Sequence, residues 1–267
     1  MSIPVALTIA GSDSGAGAGI QADLKSFAAN GVYGLSVITA ITAQNTVGVR
    51  AVQDVDPDVI RAQLDAVSED FAIGAVKTGM LSSAKIIDVV VQGLRAHRLP
   101  HLVVDPVMVA KSGDRLLRED AVEALRRHLL PLAEVVTPNL PEAQTLAGLP
   151  AGTLSDRIAA ARAILALGAR QVVIKGGHGE EDPVVDLLVD ADGVREFRAP
   201  RVRGTSTHGT GCTFSAAIAA GLARGLSVPA AVDEARTYLS AAMAQAPGLG
   251  HGHGPLNHFP SVAHAVR

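Results

Sequence analysis

The chain has 267 residues, nearly half of them apolar, with a net charge of −3 and a single cysteine. Charges of mixed sign leave no basic footprint for nucleic acid or an acidic membrane surface. One cysteine excludes an internal disulfide, so a reducing, cytoplasmic setting is expected. No stretch approaches the roughly 18 uninterrupted apolar residues of a membrane span, and the scarcity of aromatic residues leaves Ala, Val, Ile and Leu to build the core, a palette suited to helices on a buried parallel sheet.

The first residues, through Gly11, lack a basic region and a long apolar run, and read as a strand (Val5–Ala10) rather than a signal peptide. A flexible loop with Asp13 and glycines at 11, 15, 17 and 19 follows. Ile20, Leu24, Phe27 and Ala28 then recur at helical spacing until Asn30-Gly31. The glycine spacing is neither the dinucleotide fingerprint nor a P-loop. Leu35–Ala43 reads as a buried strand ending at Gln44-Asn45-Thr46, and Val49–Val55 as a shorter edge strand. Asp56-Pro57 starts a helix. The strand Ala75–Thr78 leads through Met80 to a Ser82-Ser83 cap and a helix lined by Ile86, Ile87, Val90, Val91 and Leu94.

Strand His101–Val104 breaks at Asp105-Pro106, and the polar loop Lys111–Asp114 precedes a helix over Ala121–Leu130. Strand Val135–Thr137, helix Glu142–Leu146, helix Ile158–Leu167 and strand Gln171–Lys175 continue the alternation. Val184–Val189 and Val194–Phe197 flank Asp190-Ala191-Asp192-Gly193 as a hairpin. A loop at Thr207 opens an Ala-rich helix, Val228–Ala246 gives another, and the tail is rich in Gly and His. The alternation implies one α/β domain over 1–267, helices on both faces of a mostly parallel sheet, with a small antiparallel hairpin addition. In such sheets ligands sit beyond the carboxyl ends of the strands. Asp13, Gln44, Asp105, Asn139 and the turn after Lys175 should therefore gather on one edge.

The stretch Thr207–Ala220 concentrates the chemistry. Gly209 and Gly211 allow a tight turn, and the free N–H groups at the start of the following helix suit a phosphate group. Cys212 stands at that start, either as a small buried residue or as a reactive thiol. His251, His253, His258 and His264 lack Cys or carboxylate company and read as surface or packing residues rather than metal ligands.

Seven motifs occur in a telling order: Ala10-Gly11-Ser12-Asp13-Ser14, Gly19-Ile20-Gln21-Ala22-Asp23, Thr42-Ala43-Gln44-Asn45-Thr46, Lys77-Thr78-Gly79-Met80-Leu81, Asp105-Pro106-Val107-Met108, Thr137-Pro138-Asn139-Leu140-Pro141-Glu142 and Gly209-Thr210-Gly211-Cys212-Thr213. Together they resemble the bacterial hydroxymethylpyrimidine/phosphomethylpyrimidine kinases of thiamine biosynthesis, members of the ribokinase-like superfamily, over essentially the full chain. The resemblance implies a three-layer α/β/α fold, a homodimer, and two successive transfers from ATP, first onto 4-amino-5-hydroxymethyl-2-methylpyrimidine and then onto its monophosphate. It also implies that the backbone of Gly209, Thr210, Gly211 and Cys212 forms an anion hole and that Lys175 meets the phosphates. Asp105, Asn139 and Glu142 would hold Mg²⁺, directly or through water.

Gly11, Ala18, Asp23, Gln44, Met80 and Val107 match substrate-lining positions, Gln44 reading the aminopyrimidine edge through an amide that both donates and accepts. Cys212 would act as base, its thiolate favoured by the helix start and Lys175. Lys111 and Asp114 lie in a polar loop that reads either as solvated surface charge, the default, or as a segment that closes over substrate. A pyridoxal kinase of the same architecture is the nearest alternative. A non-catalytic pyrimidine sensor is another, and a cysteine hydrolase or redox enzyme finds no resolving cysteine or C-x-x-C motif.

Overall fold

The computed structural model describes residues 3–110, 113–114, 116–179, 182–202, 204 and 206–261. Lys111, Ser112 and His264, singled out from the sequence, lie outside the described residues.

Nine strands form one sheet: β1 (Val5–Asp13), β2 (Tyr33–Gln44), β3 (Val49–Asp54), β4 (Ala75–Thr78), β5 (Leu102–Val104), β6 (Val135–Val136), β7 (Gln171–Ile174), β8 (Val184–Val189) and β9 (Val194–Ala199), in the order β3-β2-β1-β4-β5-β6-β7-β8-β9. From β2 to β7 all neighbours are parallel. The expected hairpin β8–β9 extends one side, and β3 runs antiparallel to β2 on the other, so both edges carry antiparallel strands.

The helices are α1 (Gly19–Ala29), α2 (Pro57–Asp70), α3 (Ala84–Ala96), α4 (Glu119–Ala124), α5 (Leu140–Ala147), α6 (Leu154–Leu165), α7 (Thr210–Ala223) and α8 (Val228–Ala244). α4 continues into a π-helical turn, Leu125–Leu129. Alternation along the strands divides the core between the two faces of the sheet. Leu7, Ile9, Val37 and Val76 meet Ile60, Leu64 and Ile87 of α2 and α3 on one side. Ala6, Ala75, Val103 and Val173 meet Phe27, Phe214, Ile218 and Val232 of α1, α7 and α8 on the other. This is the three-layer α/β/α arrangement.

Local chemistry sets the helix ends. Asp56 accepts from the Asp58 N–H at the start of α2, and Ser83 accepts from Ile86 N–H at the start of α3. α6 starts at Leu154, four residues before the apolar pattern predicts, because Thr153 and Asp156 form a reciprocal capping box. β1 runs to Asp13, past the expected end at Ala10, through a bulge between Ala10 and Ser12. That extension carries Asp13 alongside Thr42 of β2, level with the site. Among the described residues, no helix is long and apolar enough to cross a membrane.

Candidate active site

The parallel strands bring their carboxyl ends to one edge, and the expected residues follow. Asp13 ends β1, Gln44 ends β2, and Asp105 directly follows β5. Asn139 and Lys175 face each other across a bridge just beyond β6 and β7. Lys175 Nζ donates to Asp105 Oδ1 at 2.9 Å. The Ser215 hydroxyl, from one turn inside α7, donates to Asp105 Oδ2 at 3.2 Å. Burial would disfavour both charges, but their mutual attraction outweighs it: the Asp105 carboxyl is held below its ordinary range and Lys175 above its own.

This pair closes against the start of α7. A Cβ placed on Gly211 would lie 3.2 Å from Lys175 Nζ and 3.4 Å from Asp105 Oδ2. The N-cap of α7 is Gly209, at φ +80. The first bond of this helix runs from Thr213 N–H to the Gly209 carbonyl at 2.8 Å. The amides of Thr210, Gly211 and Cys212 therefore come before the helix ladder and point outward at its positive end. A Cβ at Gly209 would collide with the Gly17 carbonyl oxygen, so this loop and the loop after β1 touch backbone to backbone.

Asp13 joins the two loops. Its carboxylate accepts from Gly15 N–H at 2.8 Å, Gly17 N–H at 3.0 Å and Ala18 N–H at 2.9 Å. Nε2 of His208 lies 2.8 Å from the same carboxylate. Burial would raise the Asp13 carboxyl, yet His208 and the backbone donors together hold it below its ordinary value. His208, whose role the sequence leaves open, is thus a clasp between the loop after β1 and the loop before α7.

Cys212 departs from expectation. The residue is half-buried, and the surroundings of its sulfur push the thiol up to about 11, burial first, with Asp23 and Asp105 adding to the effect. The leading opposing charge is Lys77 rather than Lys175, with the Gly19 N–H acting in the same direction. The resting species is therefore a thiol. The helix start alone does not produce the thiolate, because desolvation of the anion outweighs the dipole.

Asp23 is also placed differently. It does not line an accessible surface: it is wholly buried and receives Lys77 Nζ on both oxygens, at 2.9 and 2.8 Å. Asn139 and Glu142 form a capping box at the start of α5, with Glu142 N–H donating to Asn139 Oδ1 at 2.9 Å and Asn139 N–H to Glu142 Oε2 at 2.8 Å. Asn139 has thereby committed its side-chain oxygen. Burial pushes Glu142 up to about 7, against the pull of Lys175 and with Asp105 adding to the rise. Among the described residues, no cluster of three or more His, Cys, Asp or Glu side chains is disposed to hold a metal by itself. Asp105 and Glu142 supply hard oxygens of the kind Mg²⁺ takes.

Gln44 is half-buried, and its side-chain oxygen accepts from the Thr42 hydroxyl at 3.2 Å. Its backbone is satisfied separately, N–H and C=O both engaging the Ser14 hydroxyl, at 2.8 and 2.7 Å. Gly11 and Met80 lie against each other, a Cβ on Gly11 coming 3.1 Å from Met80 Sδ. Ala18 and Val107 are partly exposed at the same strand-end edge. Asp114 accepts from Val49 N–H at 3.2 Å, at the start of β3. Of the tail histidines, His251 and His253 are exposed, and His258 is buried against the Thr213 hydroxyl at 3.2 Å. Lys77 and Ser215 were missed from the sequence. A lysine inside the short apolar strand Ala75–Thr78 was the available signal, since a buried ammonium requires a partner.

The chain is similar to known proteins over nearly its whole length. The family profile for phosphomethylpyrimidine kinase matches residues 13–257. A hydroxymethylpyrimidine/phosphomethylpyrimidine kinase of Rhizobium meliloti is 54% identical over 258 residues, covering 96% of this chain and 97% of its own. Among solved structures, a Bacillus subtilis pyridoxal kinase in complex with ADP superposes with a TM-score of 0.90 at 42% identity, covering 96% and 98% of the two chains. A phosphomethylpyrimidine kinase of Clostridium difficile gives 0.81 at 45% identity, covering 90% and 99%.

Proposed function

The chain belongs to the phosphomethylpyrimidine kinase family, and from that premise we propose that it works as one kinase domain carrying the γ-phosphoryl group of ATP onto 4-amino-5-hydroxymethyl-2-methylpyrimidine and then onto the monophosphate, in thiamine biosynthesis. The observation that carries this reading is the meeting of the free α7 amides with the Asp105–Lys175 pair, on the same sheet edge as Gln44.

Phosphoryl transfer depends on positioning and charge stabilisation, with little covalent work for the protein. The amides of Thr210, Gly211 and Cys212, continuing from Gly209, cradle the moving phosphoryl group, and Lys175 adds a fixed positive charge. Asp105 and Glu142, with Asn139 as the cap that orients Glu142, would hold Mg²⁺, directly or through water. When bound, that ion supplies neutralisation of phosphate charge. Gln44 offers its uncommitted NH₂ to a ring nitrogen and its oxygen to the exocyclic amine, while Gly11, Ala18, Met80 and Val107 shape the pocket around the ring. Asp23 acts from behind this lining.

In the first step Cys212, once ionised, takes the hydroxymethyl proton. The freed oxygen attacks the γ-phosphorus, the bond to the β-phosphate oxygen breaks, and ADP leaves. In the second step the attacking phosphate oxygen is already ionised and needs no base. The mixed but nearly balanced charge and the lack of a basic patch favour a small-molecule partner in the cytoplasm, without nucleic acid or membrane. Ile41, Val47 and Val52 leave apolar surface exposed near the β2–β3 edge, which supports a homodimer.

Likeness to a pyridoxal kinase supports pyridoxal as a secondary substrate. Incubation with Mg·ATP and each alcohol, read by product mass and kcat/KM, tests the assignment. The expected result is a mono- and then a diphosphorylated pyrimidine, with a kcat/KM above that for pyridoxal. A higher pyridoxal value would reverse the assignment, and absence of any phosphorylated product would leave a binding protein in its place.

A further inference from the structure

The Gly- and His-rich tail has no task in the scheme above, yet residues 250–255 run between two loops that the scheme uses. At one end is Thr46, two residues beyond Gln44. Its hydroxyl accepts from His251 N–H at 3.2 Å and Gly252 N–H at 3.3 Å, and its carbonyl accepts from His253 N–H at 2.9 Å. At the other end is His208, next to Gly209, the N-cap of α7. His208 N–H donates to the Gly254 carbonyl at 3.1 Å, and His208 pairs with Pro255 in a parallel bridge. Beside it, Thr207 Oγ1 lies 3.4 Å from His253 Nδ1.

The alternation of glycine with histidine follows from this fit. A Cβ on Gly250 would collide with the Thr46 side chain, and one on Gly252 with the Thr46 carbonyl. A Cβ on Gly254 would press on the Ser206 hydroxyl at 2.8 Å. Each glycine thus marks a point where the tail backbone lies hard against one loop or the other. The two ends of the site are otherwise built locally. Ser14 holds the Gln44 backbone, and the start of α7 presents the amides. The tail is what fixes one end directly to the other.

We propose that Thr46 is a positioning residue whose hydroxyl and carbonyl, through residues 251–254, hold the Gln44 loop in register with the α7 amides. The assignment rests on the reading of Gln44 and of those amides given above. It carries a particular kinetic signature. Loosening this joint leaves each ligand its own contacts, so both KM values hold. The attacking oxygen and the γ-phosphorus are then less well aligned, and kcat falls. The loss is partial, because the loop after β1 offers a second path: Ser14 meets Gln44, and Asp13 meets His208.

The test compares the parent chain with Thr46→Val, which keeps the volume and removes the hydroxyl, and with Thr46→Ser, which keeps the hydroxyl. Gly252→Ala opens the same joint from the tail side. Thr46→Val and Gly252→Ala should each lower kcat about tenfold in both steps, with KM for the pyrimidine and for ATP within about twofold of the parent. Thr46→Ser should match the parent. A raised pyrimidine KM at unchanged kcat, unchanged constants throughout, or an equal loss in Thr46→Ser overturns the proposal. Deuterium exchange on the same full-length chains, read without substrate, tests the joint itself. Peptides covering 250–255 and 206–210 should both exchange faster in Thr46→Val and Gly252→Ala, and at the parent rate in Thr46→Ser. Faster exchange confined to 250–255 overturns the proposal as well. A parent chain that phosphorylates neither alcohol would remove the functional reading, and the exchange pattern then decides the joint by itself.

Discussion

Backbone and side chain have separate tasks at Gln44. Ser14 engages the peptide groups, and the amide NH₂ makes none of the described hydrogen bonds, so it is open to a partner. Gln44→Leu removes a polar partner without opening much space, and leaving a buried ligand group unpaired costs about 1–3 kcal/mol. The pyrimidine kcat/KM should accordingly fall roughly 10–100-fold, with a smaller loss for pyridoxal; equal losses for both alcohols would deny Gln44 a part in selection. Glu142 makes a pH-dependent prediction. Its carboxyl is raised to about 7 in the fold from 4.5, so the fold favours the protonated form, and its contribution declines as pH rises from 4.5 through 7. Against Glu142→Gln, which can still cap α5, the parent chain should lose up to about 3 kcal/mol over that window, read by denaturation at pH 4.5 and 7.5. Motif spacing located Gln44, Asp105, Asn139 and Cys212 at the site. It could not rank burial against dipole, and so gave Cys212 a thiolate and left Asp23 beside the substrate. Asp23 is drawn inward by a long-range neighbour, Lys77, and the Cys212 thiol is held neutral by burial, neither of which a local pattern names.

The elements were legible wherever apolar period and end signals agreed, as in α2 with Asp56-Pro57 and in the β8–β9 hairpin. They were less so where capping alone set the boundary, as at Thr153, or where a bulge carried β1 on to Asp13. The contacts of the tail were not legible. There the Gly254 carbonyl accepts from His208 N–H at 3.1 Å, and the Thr46 carbonyl accepts from His253 N–H at 2.9 Å. One segment thus ties the anion loop to the loop that follows Gln44. His258 anchors its far end, and burial together with Lys25 lowers its imidazole to about 4. A depressed histidine costs nothing at neutral pH, and stability drains away as pH falls from 6.5 through 4, by up to about 3 kcal/mol. His258→Gln should flatten that acid limb in thermal denaturation; an unchanged limb would place the acid sensitivity elsewhere. At the anion loop, Gly209→Ala meets both the positive φ and the Gly17 carbonyl. Phosphoryl transfer in both steps should fall at least about 100-fold, as expected when a site shifts by about 1 Å.

Over the whole molecule, parallel strands from β2 to β7 deliver one residue each to a shared edge, and that convergence followed from the alternation of strands and helices alone. The direction of β3 did not, since an edge strand reads alike in either sense. Its exposed apolar side chains bear on assembly: light scattering should give twice the monomer mass, and Val52→Lys should shift the protein toward monomer, whereas a monomeric parent chain would leave that face unpartnered. The central claim is that one site performs two transfers of which only the first needs a base. The direct measurement is the rate of each step, assayed separately with the pyrimidine alcohol and with its monophosphate, in the parent chain and in Cys212→Ala. The account predicts a loss of at least about 100-fold in the first step, within the range for general-base catalysis, and a change of no more than a few-fold in the second. Equal losses in the two steps would contradict it.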